Sequence, residues 1–343
     1  MRIDITCSTD DNYVQHCAAM ICSVYDNNKE HNIFVHLLHG DSLKEESKVI
    51  FTQLADNYHQ HIQFYKIDDT ALSNVNRRTN SPVTIATYYR LMLPSLLDEQ
   101  IKRVLYLDCD VIVLKDIKSL FTINLDGYGV AAVEDCSPYN DEHRTLMSLP
   151  LGKQAFCAGV MLINLDYWRK NNCQEKLLEF SNIKQERVYL EDQDALNYVF
   201  RDAWYKLPYK YGHTMFAPAA LDKAQKNFDY EENAFDPAII HYSAHIKPWL
   251  DVKFPEQEHY WHYVKLAGIE HPVITHAEDW KRKDIKRLLL RSYISKYIRP
   301  FIPDIIEIIF TDIIRLIKFF ILLSQPRKFK KFMLRSWLRK YGF

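Results

Sequence analysis

Asp108-Cys109-Asp110 directly follows the apolar run Val104-Leu105-Tyr106-Leu107. Two carboxylates two residues apart at the end of a strand point to the same side while the chain stays extended. Oxygen donors placed in this way suit a hard divalent cation such as Mg²⁺ or Mn²⁺. Such a cation bridges a diphosphate and neutralises it as it leaves. The apolar run drives the pair to the edge of a buried strand. Spacing alone also allows two solvated loop aspartates.

A second group lies far along the chain, in His241-Tyr242-Ser243-Ala244-His245-Ile246-Lys247-Pro248-Trp249. A histidine just after a short strand can complete a metal shell through an imidazole nitrogen. Lys247, six residues on, can reach phosphate oxygens as a point charge. The plainer alternative is a core histidine and a surface lysine, with Trp249 as packing. Glu191-Asp192-Gln193-Asp194 opens a helix, where acidic side chains complement the dipole. Capping accounts for that cluster; a functional version turns Asp192 and Gln193 into a cleft to hydrogen-bond ligand hydroxyls.

The elements that must position these residues alternate between strand and helix. Arg2 to Thr6, Ile33 to Leu38 and Ile62 to Ile67 read as strands. Tyr13 to Tyr25 has helical spacing, with Val14, Cys17, Ala18, Ile21 and Val24 on one face. Ser42 to Tyr58 has the period of a helix, and Ser42 with Glu45 has the spacing of a capping box. Asn74 to Thr84, with Arg77, Arg78 and Ser81-Pro82, reads as a mobile surface loop. Thr84 to Leu97 is predicted to be helical. Further strands are predicted at Arg103 to Leu107, Tyr128 to Val133, Ala158 to Asn164 and Ala238 to Tyr242. Helices are predicted near Gln174 to Phe180 and Asp192 to Phe200. The alternation is that of a largely parallel sheet covered by helices.

A chain of 343 residues with 48% hydrophobic and 13% aromatic residues can bury a large core. Its zero net charge hides an asymmetry. From Lys281 onward there are 17 Lys and Arg against 4 Asp and Glu, which leaves 27 basic and 40 acidic residues before it. Seven cysteines lack any CxxC pair, so a thiolate zinc site is not expected and small buried thiols are. Met1 to Asp11 has no apolar run long enough for a signal peptide, and a cytoplasmic location is expected.

Residues 1–271 read as one domain, and residues 272–343 as a basic, amphipathic, helical extension. Pro300 and Pro303 interrupt the extension, and Asp304 to Leu323 is almost continuously apolar. At 100° per residue, Asp304, Glu307, Thr311, Arg315 and Lys318 fall on one narrow stripe. That pattern suits the membrane interface better than a span. Pro326 to Phe343 mixes basic and aromatic residues in a way that suits anionic headgroups. Nucleic acid is the poorer partner, because a wide Ile/Leu/Phe face needs an apolar one.

Six stretches in their order resemble the family 8 glycosyltransferases, most closely the bacterial lipopolysaccharide glucosyl- and galactosyltransferases. They are Ser8-Thr9-Asp10-Asp11-Asn12-Tyr13, Thr87-Tyr88-Tyr89-Arg90-Leu91, Val104 to Asp110, Ala158 to Leu165, Asp192 to Asn197, and His241 to Trp249. The resemblance implies a GT-A fold, which is Rossmann-like α/β with a mainly parallel mixed sheet flanked by helices. It also implies a UDP-sugar donor carrying galactose or glucose, Mn²⁺ (or Mg²⁺), and transfer with retention. By motif, Asp108, Asp110 and His241 correspond to metal ligands. Ser8, Asp10 and Asn12 fall where uracil and ribose are held, with Arg90 and Asp108 at the donor and Lys247 at its diphosphate. Asp192 and Gln193 fall where the donor sugar is gripped. The position before Ala158-Gly159 is usually Asn in this family and is Cys157 here, which puts the donor sugar's identity in doubt.

Retention by front-face attack is the expected route, since no carboxylate besides Asp192 falls near the sugar. The expected acceptor is a saccharide, such as a lipid-linked or lipopolysaccharide glycan at the inner face of the cell membrane. The alternative is a nucleotide-sugar-binding protein without transfer activity, held at the membrane by its tail.

Overall fold

Strand β1 (Arg2–Thr9) is buried along seven of its eight residues. A parallel strand covered by helices on both faces takes this pattern. Its polar side chains are therefore all partnered. Asp4 holds Arg2 and His36, and the Thr6 hydroxyl donates to the His36 carbonyl at 2.9 Å.

The computed structural model describes residues 1–77, 83–135, 139–150, 152–182, 189–214, 236–243, 245–254 and 256–293. After β1 come α1 (Val14–Asn27), β2 (Asn32–His39), α2 (Glu45–Asn57) and β3 (His61–Lys66). Next are a 3₁₀ helix (Ile85–Met92), the single turn α3 (Leu93–Leu96), β4 (Arg103–Leu107), β5 (Val111–Val113) and β6 (Val130–Glu134). Then follow α4 (Asp141–Leu146), β7 (Phe156–Asn164), α5 (Leu165–Lys170), α6 (Cys173–Asn182), α7 (Asp192–Phe200), β8 (Trp204–Lys206) and β9 (Ile239–His241). The last described elements are α8 (Gln257–Leu266) and α9 (Asp279–Tyr293).

Seven strands form one sheet in the order β3-β2-β1-β4-β7-β6-β8. Neighbours from β3 to β4 are parallel, β7 runs antiparallel to both β4 and β6, and β8 is parallel to β6. A separate antiparallel pair joins β5 to β9. The chain leaves β1 toward β2 on one side and returns to β4 on the other. The strand order therefore reverses at β1 and β4, and a crevice opens at the carboxyl ends of those two strands. The residues to Lys286 make one unit and those from Arg287 a second. Of the second, only the end of α9 is described, so the expectations for residues 294–343 lie outside the described residues.

The expected strands are present, and β5 and β8 are additions. Each is three residues long, too short to show an alternation. Helix α1 departs from its expected single apolar face, because every residue from Val14 to Tyr25 is buried. The sheet covers one side of it and α8 another. The polar residues this buries are satisfied: Gln15 donates to the Tyr260 hydroxyl at 2.8 Å, and His16 Nδ1 lies 2.6 Å from the same oxygen. Trp249 stacks on His16 at 3.6 Å, the packing role expected of it. Burial lowers the His16 imidazole to about 4, so it stays neutral.

Two local expectations are corrected. Ser42 does not cap α2: the helix starts at Glu45, Lys44 holds the cap position, and no side chain bonds there. Ser42 lies in a turn, too early to reach the first free N–H groups. Instead Asp11 accepts from the Lys44 N–H at 3.3 Å and the Ser47 hydroxyl at 2.6 Å.

The predicted helix over Thr84 to Leu97 is mostly 3₁₀. Its β-branched and aromatic residues favour the α form weakly, and Pro94 denies that ladder a donor. The 3₁₀ winding eclipses residues three apart, which stacks Thr87 beneath Arg90. In the predicted loop, residues 74–77 and 83–84 carry no helix or strand, and residues 78–82 lie outside the described residues.

Candidate active site

The crevice is built from segments that lie far apart in the chain. β4 ends at Leu107, and its continuation turns through Asp108, Cys109 and Asp110 into β5. The extended geometry expected of the pair is therefore replaced by a turn. That turn is held by backbone bonds from Asp108 N–H to the Gly159 carbonyl and from Tyr242 N–H to the Asp110 carbonyl, both 2.9 Å. The second bond brings β9 alongside, and with it His241. One ligand atom from each of Asp108, Asp110 and His241 lies within 4.8 Å of the others. His241 Nε2 is 3.3 Å from Asp110 and 3.9 Å from Asp108.

Glycine at 159 makes this approach possible. A Cβ there would stand 2.2 Å from Cε1 of the His241 ring. The imidazole therefore lies against bare backbone of β7.

Lys247 closes one side, with its ammonium 2.5 Å from Asp110 and 2.9 Å from the Tyr242 carbonyl. Burial works to raise the Asp110 carboxyl, but Lys247 and His241 hold it far below the usual carboxylate range. Burial also opposes charge on His241, yet Cys157 and Asp110 lift its proton affinity well above normal. The pocket thus attracts positive charge. Two carboxylates and an imidazole offering single converging atoms are a donor set that fits a divalent cation.

Arg90 closes the other side. It is 3% exposed, and all its nitrogens are engaged. Nε lies 2.5 Å from Asp192 and donates to the Thr87 carbonyl at 3.0 Å. Nη1 donates to the Ala158 carbonyl at 2.8 Å and to Asp108 at 3.3 Å. Nη2 donates to the Thr87 hydroxyl at 2.8 Å and to Asp192 at 3.1 Å. The guanidinium also lies 4.4 Å over the Tyr106 ring. Burial raises the Asp192 carboxyl to about 6 against the pull of Arg90, with the Asp108 charge adding to the rise.

Residues 4–253 match the model of glycosyl transferase family 8, which is most of the chain. The chain belongs to that family. It is 32% identical over 271 residues to General stress protein A of Bacillus subtilis, covering 77% of this chain and 93% of that protein. It is 28% identical over 253 residues to a lipopolysaccharide 1,2-glucosyltransferase of Escherichia coli, covering 72% and 73%. Some relatives are much longer: this chain spans 34% and 28% of two streptococcal ones. Among solved structures, an active-site mutant of LgtC superposes with a TM-score of 0.68 at 24% identity, over 82% of this chain and all of that one. The shared fold is GT-A-like.

In this family 8 chain, Asp108, Asp110, His241, Lys247, Arg90 and Asp192 converge as one connected group. Ser8 joins it through Tyr106, whose hydroxyl donates to Asp108 at 2.9 Å and lies 3.1 Å from Ser8 Oγ. Asp10 and Asn12 stand at the end of β1 and bond each other rather than the carboxylates: Asp10 accepts from the Asn12 N–H at 2.9 Å. Gln193 reaches the group through Ala158. Its Oε1 accepts from the Ala158 N–H at 2.9 Å, and its Nε2 donates to Asp135 at 2.8 Å.

Reading by motif missed Tyr106, Thr87 and Asp135. Tyr106 had a signal, being the one side chain with a polar tip in an otherwise aliphatic run. Thr87 and Asp135 had none, because their partners lie more than fifty residues away or depend on 3₁₀ winding.

Replacing Arg90 by Met leaves Asp108 and Asp192 without their shared counter-charge. The expected loss of stability is about 3–5 kcal/mol in urea denaturation, since a buried carboxylate is stranded. Arg90→Lys recovers only part of it, for lack of the planar fork. A loss below about 1 kcal/mol for Arg90→Met would contradict the role given to this network.

Proposed function

We propose that this enzyme moves a hexose, galactose or glucose, from its UDP conjugate to a saccharide acceptor with retention, using Mn²⁺ or Mg²⁺. The observation that carries the reading is the convergence of Asp108, Asp110 and His241, with Lys247 beside them, at the sheet edge. The E. coli relative's printed activity, glucosyl transfer, supports a hexose.

A divalent cation bound by the three residues supplies charge neutralisation for the leaving diphosphate. Lys247 adds a second positive charge at the phosphate oxygens, while Ser8, Asp10 and Asn12 receive the nucleoside. Arg90 keeps Asp108 and Asp192 fixed, so the site needs little rearrangement during reaction. Gln193, half-buried, contacts the sugar, and Asp192 borders it from beneath.

Front-face attack fits this arrangement. Asp192 is 1% exposed and gripped by Arg90, which makes it a poor nucleophile. The acceptor oxygen then bonds to the anomeric carbon on the face that the phosphate leaves, and the hydroxyl proton passes to a leaving phosphate oxygen. The non-catalytic alternative loses ground, because the triad stays assembled beside Cys157.

Purified protein assayed against a panel of UDP-hexoses should release UDP from one of them only when Mn²⁺ or Mg²⁺ is present. Asp110→Asn should lower that turnover by about a hundredfold or more. Near-normal turnover of Asp110→Asn with added Mn²⁺ would show the metal role to be wrong.

We also propose that the basic region from residue 272 onward docks on the anionic inner face of the cell membrane, where a lipid-linked acceptor would be met. No helix among the described residues is long and apolar enough to cross a membrane. Helix α9 turns Trp280, 53% exposed, outward together with Lys283 and Lys286. Aromatic and basic side chains side by side suit a headgroup layer. Full-length protein should float with phosphatidylserine vesicles, and a version ending at Glu278 should not. Equal flotation of the two rules out this docking.

A further inference from the structure

We propose that Cys157 is the positioning residue of His241, the partner that presents the imidazole to the metal. The inference rests on the metal reading above and assigns the position at which this chain departs from its family.

Among the described residues, Cys157 is the one cysteine that is not buried. It is the second residue of β7, and its Sγ lies 3.4 Å from His241 Nδ1. The other ring nitrogen, Nε2, faces the carboxylates of Asp110 and Asp108. Each nitrogen therefore has its own neighbourhood, one sulfur and one acidic. The ring has little freedom to choose otherwise, since it is 6% exposed and pressed onto Gly159.

Chemistry then fixes the roles. A neutral imidazole that ligates through Nε2 carries its proton on Nδ1, and something must accept that proton's hydrogen bond. In most histidine metal sites the acceptor is a carboxylate or a carbonyl. Here the atom in reach is the thiol sulfur, a weak acceptor. Cys157 thus does for His241 what a second carboxylate or carbonyl does elsewhere, with less hold on the ring angle. An asparagine at 157, the usual family residue, offers a carbonyl oxygen from the same strand position. In this chain the sulfur makes that contact, and a carbonyl oxygen in its place would be the stronger acceptor.

The test is Mn²⁺ binding by the full-length protein without donor, followed by electron paramagnetic resonance of free Mn²⁺, with thermal unfolding measured alongside. Cys157→Val puts an apolar, slightly larger side chain at this half-buried position and removes the acceptor; it should weaken Mn²⁺ binding by about tenfold or more while unfolding near the wild-type temperature. Cys157→Asn should bind as wild type does, or more tightly. Unchanged affinity in Cys157→Val would overturn the proposal, as would Cys157→Asn falling as far as Cys157→Val. Failure of the unsubstituted protein to bind Mn²⁺ would remove the metal reading itself, and this proposal with it.

Discussion

A guanidinium buried among carboxylates sets the terms for everything around it. Arg90 is almost wholly removed from water, and so is Asp192. Taking either charge out of water alone is costly. Together, with the Ala158 carbonyl and the Thr87 hydroxyl taking up further N–H groups, they form an ion-paired network in which Asp192 Oδ2 lies against Nε of Arg90 without accepting a hydrogen bond. Asp108 hangs from the same guanidinium and from Tyr106. Its carboxylate is therefore fixed before any ligand arrives, and the remaining negative charge of the crevice points toward Asp110 and His241.

The sheet supplies the stage for that network. β1 and β4 lie side by side where the strand order reverses, so a crevice opens at their carboxyl ends. The antiparallel β7 brings Cys157 and Ala158 to the same crevice from the opposite direction, paired with β4 from Leu107 back to Arg103. The small β5–β9 pair then delivers His241 from a distant stretch of chain. At Gly159 the His241 ring lies so near the β7 backbone that a Cβ would stand 2.2 Å from it.

Much of this was legible in the sequence. The aliphatic run of β4 announced a buried strand, and the carboxylates at its end marked the pair that the fold brings together with His241. The helix starting at Asp192 was visible from its acidic first turn, although its burial was not, because burial depends on Arg90 arriving from a hundred residues upstream. The 3₁₀ winding of Ile85–Met92 was hidden, since its apolar spacing also fits an α-helix. Ser42 misled because its spacing to Glu45 matched a cap that the turn before α2 does not form. The contact of Cys157 with His241 was beyond sequence reading: the residue stood out only as a departure from the family pattern. Its neighbour is set by strand pairing.

The most direct measurement of the central claim is an anomalous difference map, recorded at the manganese absorption edge from crystals grown with UDP and Mn²⁺. A single peak bounded by the carboxylates of Asp108 and Asp110 and by His241 Nε2, in contact with the diphosphate, is the predicted result. UDP bound with no peak at that position, or with the manganese held by other residues, would contradict it.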